Sequence, residues 1–120
     1  MTARILDGAA VARTIRGEVA REVDGLRRRI GVTPRLAAVL VGDDPASLTY
    51  VRNKTAACVE AGIRSDTVRI EATAGQDRIM ATVQGLNADP DIDAILVQLP
   101  LPRGIDRVPI LMAIDPAKDV

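Results

Sequence analysis

The sequence has 120 residues and a mass of 12.8 kDa, which is the size of one domain. Apolar residues make up 48% and charged residues 27%, so the composition is that of a globular domain and not of a disordered chain. The 16 basic and 16 acidic residues cancel, so the chain lacks the basic excess typical of nucleic-acid-binding and membrane-surface proteins.

The first predicted element is an amphipathic helix over residues 9–30. Asp7 is expected to cap its start and Gly31 to end it. Its apolar residues recur at helical spacing and predict the face that packs on the core. They are Val11, Ile15, Val19, Val23, Leu26 and Ile30. Residues 36–41 follow as an unbroken apolar run, which favours a strand buried on both faces.

A second helix is predicted from Pro45 to about Ala61. Asp44 is its expected cap, Pro45 occupies a favoured first position, and Gly62 ends it. The predicted core stripe comprises Leu48, Val51, Thr55, Cys58 and Val59. A second stripe, about 100° around the helix, carries Ser47, Tyr50, Lys54 and Ala57.

The second half of the chain continues the alternation. Residues 63–72 alternate weakly and predict an edge strand. Thr73 and Gln76 suggest a capping box before a helix that ends near Ala88 and packs through Ile79, Met80, Val83 and Leu86. Residues 92–99 predict another buried strand, which must end at Leu99-Pro100, where we expect a cis bond. A short helix over about 106–113 and an irregular tail complete the chain.

Helices and strands that alternate in this way predict an α/β fold. We expect a three-layer α/β/α domain with a small, mostly parallel sheet flanked by helices. Ligands of such sheets bind at the carboxyl ends of the strands. Residues 42–44, 72–73 and 98–100 are expected at that edge, together with the first half of the helix that carries Tyr50.

Several kinds of site and location are excluded by composition. The chain has no histidine, and Cys58 is the only cysteine, so we expect no metal site and no internal disulfide. The longest apolar run is far shorter than the ~20 residues of a membrane span, and the first residues lack the apolar stretch of a signal peptide. We therefore expect a cytoplasmic protein with neither a nucleic acid nor a membrane as partner.

Tyr50 and Lys54 are the most distinctive residues for chemistry. Tyr50 is the only aromatic residue, and Lys54 and Lys118 are the only lysines among the basic residues. A spacing of four places Tyr50 and Lys54 on one helix face. A short-chain dehydrogenase also uses a Tyr-x-x-x-Lys pair, but it requires a glycine-rich nucleotide loop and about twice this length. Gly42-Asp43-Asp44 is not such a loop, so we set that interpretation aside.

A series of motifs in this order supports a different interpretation. It begins with the segment from Gly42 to Cys58, which contains Ser47, Tyr50 and Lys54. Leu86-Asn87-Ala88-Asp89, then Ile95 to Pro102, then Asp115 to Val120 follow. Together they closely resemble the N-terminal catalytic domain of the methylenetetrahydrofolate dehydrogenase/methenyltetrahydrofolate cyclohydrolase family, over nearly the whole of residues 1–120.

The resemblance implies an activity and roles for particular residues. The family oxidises 5,10-methylenetetrahydrofolate with NADP and hydrolyses the methenyl product to 10-formyltetrahydrofolate, in one-carbon metabolism and purine biosynthesis. By motif position, Lys54 matches the catalytic lysine, Gln98 the glutamine that orients it, and Tyr50 the tyrosine that lies against the folate. Ser47, Leu99 and Pro100 lie in the motifs expected to contact the substrate.

The residue chemistry agrees with these roles. The methenyl intermediate is a cation, so a bound intermediate should favour the neutral amine of Lys54, which can then accept a proton. An arginine at that position could not exchange the proton. An amide such as Gln98 can hold the amine in either charge state, because it both donates and accepts. On spacing alone, Tyr50 and Lys54 would also fit an ordinary solvated helix face.

The resemblance also implies parts that residues 1–120 do not contain. The family's NADP-binding Rossmann domain and its C-terminal returning helix are absent, and the sequence stops within an Asp-Val-Asp-Gly motif. We therefore expect a piece of a longer protein that binds a tetrahydrofolate derivative, uses NADP only through the missing domain and forms a homodimer at full length. The alternative is a truncated, non-catalytic folate-binding or assembly module.

Overall fold

The computed structural model describes residues 2–120, in which helices and strands alternate strictly. The elements are α1 (Gly8–Ile30), β1 (Arg35–Val41), α2 (Pro45–Ala61), β2 (Arg64–Ile70), α3 (Gln76–Ala88), β3 (Ala94–Val97) and α4 (Arg107–Ala113). Within these residues, no helix is both long enough and apolar enough to cross a lipid bilayer.

The three strands form one parallel sheet in the order β2-β1-β3. The central strand β1 pairs on both sides, and Val39 aligns with Val68 of β2 and with Val97 of β3. Residues 37–41 are all buried, whereas β2 alternates between partly buried and exposed positions. The predictions of a buried first strand and of an edge strand after the second helix are both confirmed.

Side chains of β1 divide between two cores because successive residues of a strand point to opposite faces. Ala37, Val39 and Val41 join the larger core with Ile79 of α3 and Ile110 of α4. Ala38 and Leu40 pack instead against Val51 of α2. Helix α1 contacts α2, and α4 contacts α3. The sheet is thus covered on both faces, and the predicted three-layer α/β/α class is confirmed.

Local capping residues explain where most helices begin and end. The carboxylates of Asp7, Asp44 and Asp106 each accept a hydrogen bond from a backbone N–H in the first turn of α1, α2 and α4. Gly62 adopts a left-handed conformation with φ of 78°, which turns the chain out of α2 into β2. Pro109 lies in the first turn of α4, where it interrupts no helical hydrogen bond.

Two predicted boundaries are wrong. Thr73 does not cap α3, which begins after Gly75 without any side-chain cap. The amide of Gln76 is instead hydrogen-bonded to the backbone of Asp106, so it is not available for a capping box. Strand β3 covers Ala94–Val97 only. The N–H of Gln98 still donates to Val39, but the chain bends at Leu99 toward Pro100, which cannot continue the ladder.

Part of the predicted core is exposed. Val11 and Ile15 of α1 are 58% and 53% exposed, and Ile30 is also exposed. Only the stretch of α1 around Val23, the buried residue of this helix, reaches the core of the described chain. Val59 of α2 is 71% exposed, although Ala61 in the same last turn is buried, so Val59 lies on the outer side of that turn. An amphipathic pattern identifies an apolar face, but it does not identify how far along a helix that face is covered.

A matched pair of valines tests this assignment of the core. Val83 on α3 is fully buried, whereas Val59 on α2 is mostly exposed. We expect Val83→Ala to lower the free energy of unfolding by about 2 kcal/mol, through lost burial and a residual cavity. Val59→Ala should change it by less than about 0.5 kcal/mol. Urea unfolding of the two variants measures both values, and equal effects would contradict the assignment.

Candidate functional site

The carboxyl edge of the sheet brings the end of β3 next to the beginning of α2. Gly42 follows β1 with φ of 83°, and its N–H donates to the carbonyl of Ile70 at the end of β2. After this left-handed turn, α2 begins three residues later at Pro45. The first half of α2 therefore lies beside the strand ends, as the sequence predicted.

Lys54 of α2 and Gln98 after β3 are in direct contact. Lys54 Nζ donates a hydrogen bond of 2.6 Å to Gln98 Oε1, although the two residues are 44 positions apart in sequence. Gln98 is only 8% exposed, and its backbone N–H donates to the carbonyl of Val39 on β1. The backbone of Gln98 is thus held by the central strand at the point from which its side chain reaches the lysine.

Hydrogen bonds determine which end of the Gln98 amide faces Lys54. Gln98 Nε2 donates to the carbonyl of Leu99 at 2.8 Å, so Oε1 is the atom directed at the amine. A carbonyl oxygen accepts a hydrogen bond from an ammonium or from a neutral amine. The pair therefore fixes the position of Lys54 Nζ in either protonation state. No ion pair in residues 2–120 includes Lys54.

Tyr50 lies one helical turn before Lys54 on α2. Its side chain is 55% exposed. A spacing of four residues places the two side chains on the same helix face. An exposed phenol ring offers a flat apolar surface to a planar ligand and a hydroxyl at its far end. The face next to the lysine can therefore accept an aromatic group by stacking.

Ser47 differs from its predicted surroundings. Its backbone N–H donates to the Asp44 cap at 2.9 Å, and the residue is only 1% exposed. The sequence assigned Ser47 to the same helix stripe as Tyr50 and Lys54. Those two residues are exposed, whereas Ser47 is buried, so the stripe is exposed only after the first turn of α2. Ser47 Oγ is buried and has no hydrogen-bond partner within residues 2–120.

Leu99 and Pro100 continue the edge beyond Gln98. Their peptide bond is cis, as predicted. Pro100 lines a shallow depression of about 290 Å³ together with Gly42, Asp43, Ala72 and Pro102. The sequence placed Asp43 and Ala72 at this edge, because they follow β1 and β2. It did not select Pro102 as a site residue, and only the fold makes Pro102 a neighbour of these strand ends.

Cys58 lies one turn after Lys54 on α2 and is partly buried. Burial raises the pKa of its thiol, and the nearby Ser65 hydroxyl offsets that effect only in part. At neutral pH the side chain is therefore a protonated thiol. It behaves as a small apolar residue and not as a nucleophile, in agreement with the prediction of a core position.

These features define an α/β domain whose carboxyl edge is open to solvent. A fixed lysine amine lies beside an exposed aromatic ring, and both are on the helix that follows the central strand. Such an arrangement can bind a planar ligand and exchange a proton with it.

The chain belongs to the tetrahydrofolate dehydrogenase/cyclohydrolase catalytic domain family, whose family model matches residues 6–120. The bifunctional protein FolD of Oleidesulfovibrio alaskensis is 53% identical over 116 residues, which cover 97% of this chain and 41% of the relative. FolD of a Bradyrhizobium strain is 50% identical over 120 residues, again with 41% of the relative covered. The chain thus spans about two fifths of the length of these curated relatives.

Solved structures show the same fold. The 5,10-methylenetetrahydrofolate dehydrogenase of the silkworm Bombyx mori superimposes with a TM-score of 0.95 at 39% identity, covering 98% of this chain and 41% of the other. The Trypanosoma brucei FolD structure, a complex with NADP cofactor and inhibitor, gives a TM-score of 0.91 at 39% identity, covering 99% and 41%.

The Cys58 thiol gives a prediction about pH. Because its pKa is raised, we expect alkylation by iodoacetamide to be slower than that of glutathione at pH 7, and its rate to inflect above the ordinary thiol pKa of about 8.5. The folded state holds this proton more tightly than the unfolded state. The associated stability is therefore present below the unfolded pKa and is lost as the pH rises through the folded pKa.

Mass spectrometry of the alkylated chain measures the rate directly, because Cys58 is the only cysteine. The same chain in urea is the control and should recover the ordinary inflection. An inflection in the folded protein at or below that of the unfolded chain would show that burial does not govern this thiol.

Proposed function

We infer that this chain is the folate-binding catalytic domain of an enzyme with two activities. These are the NADP-linked oxidation of 5,10-methylenetetrahydrofolate and the hydrolysis of 5,10-methenyltetrahydrofolate to 10-formyltetrahydrofolate. Membership of the catalytic-domain family supports this proposal. The single observation that carries it is the 2.6 Å hydrogen bond from Lys54 to Gln98, since it fixes an amine at the ligand-binding edge.

Lys54 serves the hydrolytic step as a base. Water attacks the methenyl carbon, its oxygen forms the new C–O bond, and the neutral amine of Lys54 takes the water proton. The electron pair of the carbon–nitrogen double bond moves to nitrogen and cancels the positive charge of the substrate. When the bond to the ring nitrogen then breaks, its electron pair stays on that nitrogen, which takes the proton back from the lysine. The hydroxyl on the carbon loses its proton to solvent and becomes the carbonyl of 10-formyltetrahydrofolate.

The other residues bind and orient. Gln98 holds Lys54 Nζ through both protonation states, because its Oε1 accepts from either form. The exposed ring of Tyr50 stacks on the flat part of the folate. Ser47 lies in the same motif, but its Oγ is buried without a hydrogen-bond partner within residues 2–120, so a contact with the substrate requires its surroundings to shift. Leu99 and Pro100 border the candidate site on the side beyond Gln98.

The residues of this chain do not fit NADP. A dinucleotide site requires backbone N–H groups open to a pyrophosphate at a helix start, within a glycine-rich loop. At the start of α2 the carboxylate of Asp44 already accepts from Ser47 N–H, and Asp43 adds a second exposed carboxylate that would repel the phosphates. We therefore assign NADP to a separate domain of the longer protein, and hydride transfer requires that domain.

Location and assembly follow from the same proposal. A cytoplasmic enzyme of one-carbon metabolism that supplies purine biosynthesis fits the proposed product, a formyl donor. The homodimer expected of the full-length protein belongs to the same proposal, as does the absence of nucleic-acid and membrane partners.

One alternative is kept because the chain covers only 41% of its relatives and its site lies on an open edge. In that alternative the protein is a non-catalytic folate-binding or assembly module. The two proposals differ in turnover and not in binding.

Replacement of Lys54 tests the catalytic role. In the full-length enzyme, Lys54→Met should abolish both activities and lower cyclohydrolase turnover at least about a hundredfold, because no proton acceptor remains. Lys54→Arg keeps a cation at the position but cannot exchange its proton, so it should be equally inactive. The decay of methenyl absorbance measures the hydrolysis, and NADPH formation measures the oxidation.

Arg52→Met is the matched control, since it removes an exposed cation from the same helix. It should retain both activities. Cyclohydrolase turnover that survives in Lys54→Met would remove Lys54 from the catalytic role.

A binding experiment distinguishes the enzyme from the module. We expect the full-length protein to bind a folate analogue in titration calorimetry and to hydrolyse 5,10-methenyltetrahydrofolate above the buffer rate. Residues 1–120 alone should hydrolyse it more slowly, because without the rest of the protein the candidate site at the carboxyl edge is open to water. Binding without any turnover by the full-length protein would favour the module.

A further inference from the structure

Gln76 at the start of α3 is a polar residue that the proposed reaction does not use. Its side-chain amide forms two hydrogen bonds to the backbone of Asp106, which is 30 positions away in sequence. Gln76 Nε2 donates to the carbonyl of Asp106 at 2.8 Å, and the N–H of Asp106 donates to Gln76 Oε1 at 2.8 Å. An amide can serve both backbone groups at once because it has a donor and an acceptor side by side.

Asp106 ends the loop that leads from the end of β3 into α4. We call residues 99–106 the edge loop. Pro102 of this loop lines the same shallow depression as Gly42 and Ala72, so the edge loop crosses the carboxyl ends of β1 and β2. At its far end Asp106 then meets the start of α3, the helix that follows β2.

The edge loop has few other hydrogen bonds. Its two prolines have no N–H to donate. Within residues 2–120, its local bonds are a turn inside the loop and the cap of α4. Apart from these and the bond that Leu99 receives from Gln98, only the two bonds from Gln76 connect the edge loop to the rest of the described chain. The amide of Gln76 thus limits how far the far end of the loop can move.

The near end of the edge loop determines the orientation of the Gln98 amide. The carbonyl of Leu99 accepts from Gln98 Nε2 at 2.8 Å, and this bond leaves Oε1 directed at Lys54. Leu101 and Ile105 of the loop also pack against the larger core. Apolar contacts are non-directional, so they do not fix the direction of a carbonyl. A shift of the loop that moves the Leu99 carbonyl would therefore release the amide from its position beside the amine.

We propose that Gln76 is a positioning residue of the candidate site: its amide clamps the edge loop to α3 and so holds the Leu99 carbonyl that orients Gln98. The proposal rests on the proposed function for the reaction that it affects. Gln76 acts through the edge loop and not on the reacting atoms. The loop can transmit this restraint because its two prolines and the turn from Pro102 to Ile105 stiffen the chain between Leu99 and Asp106.

The test replaces Gln76 by methionine in the full-length enzyme, which removes both bonds and keeps a side chain of similar length. Titration with a folate analogue gives the concentration of active sites. We expect kcat per active site for hydrolysis of 5,10-methenyltetrahydrofolate to fall about tenfold, because the Gln98 amide loses its fixed orientation. An unchanged kcat would overturn the proposal.

A double-mutant cycle shows whether the effect passes through Gln98. Gln98→Ala removes the amide that Gln76 is proposed to position. In that background Gln76→Met should change kcat by less than about twofold, because nothing remains to be oriented. A merely structural glutamine would lower kcat by the same factor in both backgrounds, and that result would also overturn the proposal.

Hydrogen exchange gives a readout that needs no folate. The N–H of Asp106 donates to Gln76 Oε1, so the peptide that contains Asp106 should exchange faster in Gln76→Met than in the parent. Gln84→Met is the matched control, since it replaces an exposed glutamine of the same helix, and it should change neither kcat nor this exchange. Unchanged exchange at Asp106 in Gln76→Met would contradict the clamp.

The two proposals fail separately. Turnover that survives in Lys54→Met would remove the catalytic role of Lys54, whereas the exchange measurement would still test the clamp. A parent-like kcat in Gln76→Met, with Lys54→Met inactive, would remove only the positioning role.

Discussion

The hydrogen bond between Lys54 and Gln98 is the interaction on which the functional interpretation depends. It joins a helix to a strand end across the carboxyl edge of the sheet, and it fixes an otherwise flexible amine in one place. This geometry requires β1 at the centre of the sheet. The turn at Gly42 connects β1 to α2, which begins on one side of the edge. The carbonyl of Val39 on β1 accepts from the N–H of Gln98 on the other side. The burial of β1 on both faces makes that geometry rigid.

The two lysines of the chain have opposite environments. Lys54 lies on an exposed helix face and has one hydrogen-bond partner within the described residues, which leaves two of the three donors of its ammonium for a ligand. Lys118 has three carbonyl partners, which occupy all three donors of its ammonium. A tetrahedral ammonium suits three converging carbonyls better than the planar fork of an arginine does. The same residue type thus keeps donors for a ligand at one position and uses all of them to hold the chain at the other.

The success of the predictions differs with the range of the interactions involved. The Asp44 cap and the Gly62 terminus were predicted because they depend on residues within one helical turn. The proposed cap at Thr73 was wrong because Gln76 bonds to Asp106, which is 30 positions away. The apolar stripe of α1 was correctly placed as a pattern, yet Val11 and Ile15 are exposed. Coverage of a face depends on which elements pack against it, and a single-helix pattern carries no information about that.

The sequence by itself determined the class of fold, the helix that carries Tyr50 and Lys54, and the strand end that carries Gln98. These follow from hydrophobic periodicity, from glycine and proline positions, and from motif resemblance. Each of these signals depends on residues that are close together in sequence. Only the tertiary structure decided that Lys54 Nζ donates to Gln98 Oε1 and that Lys118 Nζ donates to carbonyls at the end of α3. It also decided that the hydroxyl of Ser47 is buried without a partner within residues 2–120. Those facts depend on distances between segments 29 to 44 residues apart in sequence, which the packing of helices on a parallel sheet sets.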